Sequence, residues 1–392
     1  MRLDGWGLDP EVTYLNHGGF GAVPLAVMEE QRRWAERIER NPNRFMAREA
    51  LDSIAGARAR LSEFVGADPE ALAFVRNATT GVNAVLQSLA FDAGDRVVLT
   101  DHAYNACRNA LDAVAGRHGL ELVTVSIPLP VTGPEAVRDR VLEAVTPDTR
   151  LLLLDHVTSQ TALVFPVEEI VPLVEEMGVP VLVDGAHAPG MVPLDLDRLG
   201  ASFYAANLHK WVCAPRGSGF LHVRSDRRDG IVPPAISHGW NDDSPDRSRF
   251  HKLFDWTGTD DLTAWLSVPA ALEALAGRPG GMAGSMARNH TMTMEGRQVL
   301  EGVVGLAPVA PEAMVGSMAA LRLPLGMGPD PGSTDDELGR VLGRRWKIEV
   351  PVTVFPRWPH RLVRISAQEY NTLDDFERLA EALGAELTGD PS

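Results

Sequence analysis

Short apolar runs alternate with amphipathic stretches through the middle of this chain. Runs such as Leu151-Leu152-Leu153-Leu154 and Val181-Leu182-Val183 are apolar on both faces, as expected of strands in a parallel sheet buried under helices. The pattern predicts strands over 71–75, 96–100, 120–125, 150–155, 179–184, 203–206 and 219–223. Helical periodicity fills the intervals at 79–89, 106–117, 134–145 and 167–177. Strand and helix in turn define an α/β core. Three of the apolar runs close on a polar residue, Asp155, Asp184 and Asn207, and ligands of open α/β sheets collect at such carboxyl ends.

The flanks read differently. The segment to about Gly66 is a loop followed by two helices, 24–39 and 47–65. A Gly-rich stretch, 277–285, joins two helical segments, the second running to about Val304. Then come a strand at 318–325, a helix opened by the capping box Thr334-x-x-Glu337, strands at 346–355 and 361–366, and a last helix at 373–383. That order suits a smaller α+β domain. The stretch 326–332, with Pro329 and Pro331, and the tail after Gly384 read as loops, and no internal repeat is visible.

Composition narrows the class. The 392 residues suffice for a large and a smaller domain. No apolar run is long enough to span a membrane, and Met1-Arg2-Leu3-Asp4 lacks signal-peptide architecture. Two cysteines, Cys107 and Cys213, suit a reducing cytosol, so a cytoplasmic location is expected. Neither Cys-x-x-Cys nor His-Glu-x-x-His occurs, which leaves a metal site without support. A net charge of −16 argues against nucleic acid or an anionic membrane as a partner.

Lysine is scarce: Lys210, Lys252 and Lys347 stand against 34 arginines. Arginine cannot shed its proton near neutrality or form an imine, whereas a lysine of lowered pKa can. Lys210, in His209-Lys210-Trp211 just past an apolar run, invites a Schiff-base reading, against the plainer one of a surface lysine. Lys252 and Lys347 have no motif around them and read as solvated. Asp184, ending an apolar strand before Gly185-Ala186-His187, is a buried carboxylate in need of a cation or donor, which a protonated ring nitrogen would supply; capping of the next turn is an equal alternative. Asn77-Ala78-Thr79-Thr80-Gly81, between a strand and a helix, offers free N–H groups and the helix dipole to a phosphate, against the plainer reading of a Thr N-cap. Phosphate site, carboxylate and lysine together describe pyridoxal 5'-phosphate.

The order of phosphate loop, Asp184, and Lys210 26 residues later resembles the fold-type I pyridoxal-phosphate enzymes, and more narrowly the class V aminotransferase family in its isopenicillin N epimerase-like and cysteine desulfurase-like branch. The resemblance covers nearly the whole chain. It implies a large domain with a mostly parallel seven-stranded sheet and a smaller C-terminal α+β domain, divided as 1–22 (a pocket loop), 23–285 and 286–392, with the N-terminal helices candidates to pack on the small domain. It implies that Ala78, Thr79, Tyr104, Asp184, His187, His209 and Lys210 hold the cofactor, His187 at the phenolic oxygen and His209 beside the phosphate. Tyr104 in Asp101-His102-Ala103-Tyr104 is the expected stacking residue and a catalytic one with Lys210; His102 is the alternative. Thr259, in Asp255-Trp256-Thr257-Gly258-Thr259-Asp260, matches a Thr that reaches the phosphate of a neighbouring subunit, so a homodimer is implied. Arg364, in Val363-Arg364-Ile365-Ser366, matches the carboxylate clamp, a task that suits a planar guanidinium fork. Asn16, His17 and Gly18, within Tyr14-Leu15-Asn16-His17-Gly18-Gly19-Phe20-Gly21, match a substrate-pocket loop. Ser159 stands where the desulfurases carry an Asn, which leaves its role open. The 238–240 region is a further expected pocket wall, and Asn207 and Trp211 read as packing or support.

The resemblance sets the cofactor more firmly than the reaction. Cysteine desulfurases use a nucleophilic Cys shortly before the carboxylate-binding Arg; 351–363 contains none, and Cys107 and Cys213 read as inert. The spread of activities in the family the chain resembles ranks a C–S lyase acting on a cysteine S-conjugate, in sulfur or antibiotic metabolism, first. Lys210 is then the base for the α-proton. Epimerisation of an amino-acid centre comes next, with Tyr104 or His17 as the second acid, and transamination third. A scaffold or regulator built on the same fold is the non-enzyme alternative.

Overall fold

The computed structural model describes residues 5–330, 332–333 and 336–388. The expected capping residue Thr334, Pro331 and the start Met1-Arg2-Leu3-Asp4 lie outside the described residues. A seven-stranded sheet forms the centre: β1 Leu72–Val75, β2 Arg96–Thr100, β3 Glu121–Val125, β4 Thr149–Asp155, β5 Val181–Asp184, β6 Phe203–Asn207 and β7 Gly219–Val223. Their spatial order is β1-β7-β6-β5-β4-β2-β3, and only β7 runs antiparallel to its two neighbours. The seven expected strands are these seven, shifted at most two residues at an end. Side-chain alternation divides the core into two layers. Leu152, Leu154, Val181 and Val183 pack on one face of the sheet, and Leu151, Leu153 and Leu182 on the other.

The helices α1 Ala78–Ser88 and α2 Asn105–His118 cover the second face at the carboxyl ends of the strands. Asn77 caps α1 by accepting the Thr80 N–H at 2.9 Å. A Cβ on Gly81 would meet the Ala205 Cβ at 2.9 Å, so α1 rests almost directly on β6. The helices Leu25–Arg40 and Ala50–Val65 pack against Thr263–Leu266 and Val268–Ala276.

The C-terminal part carries a four-stranded antiparallel sheet of β8 Ala307–Pro308, β9 Met318–Arg322, β10 Val352–Val354 and β11 Arg361–Ser366, in the order β10-β11-β9-β8. The helices Gly281–Glu301 and Leu373–Thr388 cover it. The expected division at 285/286 falls inside the first of these helices. The expected long strand at 346–355 is interrupted at Val350-Pro351, between Ile348–Glu349 and β10, and Ile348–Glu349 pairs instead with Thr13–Tyr14 from the N-terminal loop. Two further expectations fail. The stretch after Gly384 continues the last helix to Thr388 rather than forming a loop. Lys252 is not solvated: it is 9% exposed, its amine donates to the Asp242 carbonyl at 3.1 Å and to the Ser244 carbonyl, and it pairs with Asp242 and Asp246. Among the described residues no helix is long and apolar enough to cross a membrane.

Candidate active site

A cavity of about 250 Å³ opens at the carboxyl ends of β4, β5 and β6 and the first turns of α1 and α2. Lys210 reaches it from a tight turn after β6. The Cys213 N–H closes that turn on the Lys210 carbonyl at 3.0 Å, with Cys213 in the left-handed region at φ 59°. The Lys210 Nζ lies 3.0 Å from His187 Nε2. Burial, then the positive Arg364, push the amine down to about 7, against the pull of Asp184. A lysine so placed is largely free base just above neutrality.

Asp184 ends β5 and is 3% exposed. Its Oδ2 accepts the Cys107 thiol at 3.0 Å and its Oδ1 the Ala186 N–H at 3.0 Å. Burial raises its pKa, opposed by these two donors and by Lys210. A thiol is a weak donor, so this carboxylate is poorly compensated by the protein alone. His187 also lines the cavity, and its Nδ1 is buried with no partner among the described residues. Burial, Lys210 and Arg364 hold its ring neutral.

At the opposite wall, the Ala78 N–H donates to Asn207 Oδ1 at 2.8 Å. Ala78 was expected to offer this amide to the cofactor, but Asn207, read from sequence as support, already takes it. Thr79 lines the cavity with its hydroxyl unpartnered among the described residues. His209 accompanies it, held by the Ser218 carbonyl at 3.2 Å and lowered to about 4 by burial and then by Lys210. Tyr104, 42% exposed at the start of α2, completes the wall; burial, then Cys107 and Asp184, keep its phenol protonated.

The N-terminal loop arrives with a shift. Gly19 and Phe20 line the cavity, whereas His17 and Gly18 are buried behind it. His17 bonds the Tyr370 hydroxyl at 2.9 Å and the Lys210 carbonyl at 3.0 Å, and burial pushes it down to about 4. It therefore holds the lysine's backbone and does not line the cavity. A Cβ on Gly21, at φ 71°, would fall 1.9 Å from the His209 carbonyl oxygen, so only glycine lets the loop lie this close. Asn16 Oδ1 accepts from Arg364 at 3.1 Å. Arg364 is buried, donates also to the Ser159 carbonyl, and leaves its Nε unpartnered among the described residues. Ser159 lines the cavity, so the arginine stands just behind that wall.

Two expectations are displaced. His102 is not a stacking candidate: it is buried between Thr161 at 2.7 Å and the Ile127 carbonyl at 2.8 Å, against Phe355. His238 and Trp240 are exposed and form no part of this wall. Thr259 is exposed, away from the cavity of its own chain, in a loop anchored by the buried Arg58–Asp255 pair at 2.6 Å and by Arg76–Asp260. Sequence reasoning gave no role to Asp155 or to the Cys107 thiol. Asp155 was visible as the polar end of an apolar strand; the bond from Cys107 to Asp184 had no local signal.

A buried carboxylate lacking a cation, an orphaned imidazole nitrogen beside a low-pKa lysine, and an unpartnered Thr hydroxyl at a helix N-terminus fit pyridoxal 5'-phosphate at its ring nitrogen, phenolic oxygen, aldehyde and phosphate. The fold and this site define a fold-type I pyridoxal-phosphate enzyme. The chain belongs to the class V aminotransferase family, whose model ("Aminotransferase class-V") matches residues 13–321.

It is similar to isopenicillin N epimerase of Streptomyces clavuligerus, 36% identical with 98% of this chain and 96% of the relative covered. The same enzyme of Amycolatopsis lactamdurans is 38% identical over 96% of this chain and 95% of its own. A probable chloroplastic L-cysteine desulfhydrase of Arabidopsis thaliana is 33% identical over 96% of this chain and 83% of its own. In fold the chain is similar to a cystine C–S lyase solved with its product cysteine persulfide, with a TM-score of 0.79, 23% identity, and 96% and 98% of the two chains covered.

Proposed function

We propose that this enzyme cleaves the C–S bond of a cysteine S-conjugate by α,β-elimination, in sulfur or secondary metabolism. The observation that carries the reading is the placement of Lys210, whose Nζ lies 3.0 Å from His187 Nε2 in the cavity with no carboxylate partner among the described residues. Lys210, lowered to about 7, is the base, and Tyr104, a phenol on the same cavity, is the acid an epimerase would use. Elimination needs one base, and epimerisation by two groups needs a second acid on the other face. Pyridoxal phosphate supplies, when bound, the electron sink that makes the α-proton acidic. Lys210 Nζ takes that proton and, once charged, returns it to the departing sulfur. Asp184 holds the ring nitrogen, His187 the phenolic oxygen, and Thr79 and His209 the phosphate. Arg364 clamps the substrate carboxylate, with Asn16 orienting the guanidinium.

Epimerisation is the second reading, favoured by 36% and 38% identity to two isopenicillin N epimerases over nearly the whole chain. With His17 behind the lysine, it rests on Tyr104 alone. Transamination has no observation of its own. A desulfurase role is disfavoured: Cys107 and Cys213 are both buried, burial holding the first thiol well above its usual range and pushing the second up to about 12.

We further propose a cytoplasmic homodimer in which Thr259 reaches the partner's phosphate site. The test of the reaction is incubation of the holoenzyme with cysteine conjugates and chiral amino acids in deuterated water, read by mass spectrometry. Pyruvate and free thiol support elimination. Recovery of substrate with deuterium at an inverted α-carbon, without pyruvate, overturns it in favour of the epimerase.

A further inference from the structure

Asp155 lines the cavity and has no task above. It ends β4 beside the end of β5, and in the parallel register Asp155 pairs with Asp184. Alternation places Asp155 on the same face as Leu151 and Leu153, and Asp184 on the same face as Leu182, and those three leucines share one core layer. The two carboxyl groups therefore project from adjacent strands, about 4.8 Å apart in the backbone, toward one side of the sheet. Both line the cavity and each residue is 3% exposed.

The groups that face them provide little positive charge. From α2 comes Cys107, whose thiol donates to Asp184, and from the residue before that helix Tyr104, whose backbone amide favours the charged form of Asp155. Across the cavity stands Lys210, its amine engaged with His187. Among the described residues neither aspartate has an ion-pair partner. Two carboxylates buried this way cannot both keep their charge without a second cation, because each pays for desolvation and repels the other. Asp184 has two hydrogen-bond donors and the pull of Lys210, so the charge settles there. Burial, and then the charge of Asp184, raise Asp155 well above the usual carboxylate range.

We propose that Asp155 is a carboxylic acid in the working enzyme at neutral pH. By staying neutral it leaves Asp184 as the single anion at this end of the cavity, matched to one protonated ring nitrogen. Asp155 is thus a positioning residue that acts through Asp184.

The test is infrared spectroscopy of the holoenzyme at neutral pH together with cofactor affinity. The wild type should show the carbonyl-stretch band of a protonated, buried carboxylic acid, and Asp155→Asn should lose it. Because Asn imitates the neutral acid, Asp155→Asn should bind pyridoxal phosphate within about threefold of the wild type, whereas Asp184→Asn, which removes the paired charge, should loosen it more than about tenfold. A wild-type spectrum without the band overturns the proposal and needs no variant. So does a band that survives Asp155→Asn, or a loss of affinity in Asp155→Asn equal to that in Asp184→Asn.

Discussion

Lys210 Nζ and His187 Nε2 share a hydrogen bond of 3.0 Å, and among the described residues the amine has no carboxylate partner. A lysine denied an ion pair and packed beside a neutral imidazole gives up its proton readily. The low proton affinity of Lys210 thus comes from what surrounds it, burial first and the nearby Arg364 second.

A pH dependence follows with a definite sign. The amine is lowered from 10.5 to about 7, so the protonated, unreactive form dominates below that value and the free base above it. Covalent uptake of pyridoxal phosphate by the apoprotein should accelerate as pH rises through about 7 and then level off. Stopped-flow absorbance of the cofactor checks this; a midpoint near the ordinary lysine value would refute the depressed pKa. Lys210→Ala should keep the fold by circular dichroism and lose turnover by about 10²-fold or more.

Arg364 has two separable effects. Arg364→Ala should raise KM for amino acids by roughly 10-fold to 100-fold, the worth of charge-assisted hydrogen bonds to a carboxylate. The same change removes a positive charge that lowers Lys210, so the midpoint of cofactor uptake should move to higher pH. Steady-state kinetics and the uptake profile read the two independently. An unchanged KM rules out the clamp.

His17 should behave as a structural residue. His17→Ala leaves the Tyr370 hydroxyl and the Lys210 carbonyl without their buried partner and should cost about 1–3 kcal/mol of stability. Denaturant unfolding measures it. Any solvent exchange at the substrate α-carbon should keep the stereochemistry of the wild type; inverted exchange lost specifically in this variant would make His17 a proton donor after all.

Thr259 is exposed in its own chain, and its proposed task requires a partner. Light scattering of the holoenzyme should give twice the mass of 42.5 kDa. Thr259→Ala should weaken pyridoxal phosphate binding while leaving that mass unchanged. A fully active monomer would remove the shared phosphate site.

Much of the site was legible because its parts are local. Lys210 stood out by rarity, Asp184 by ending an apolar strand, and Thr79 by opening a helix. The misplacements arose where a role depends on distant chain. His17 and Gly18 sit in the right loop, yet the close approach at Gly21 turns Gly19 and Phe20 to the cavity and His17 to the back of Lys210. Lys252 carried no motif, and only the fold brings Asp242, Ser244 and Asp246 around its amine.

By itself the amino-acid order determined the succession of strands and helices, the two-faced burial of the sheet, and which polar residues stand at its carboxyl ends. These follow from periodicity and side-chain type within a few residues. Tertiary structure alone decided which ends meet: Asp155 beside Asp184, Cys107 on Asp184, Asn207 on the Ala78 amide, Arg364 behind Ser159. Those neighbours are set by strand order, register and domain packing across tens to hundreds of residues, and no local pattern encodes such distances.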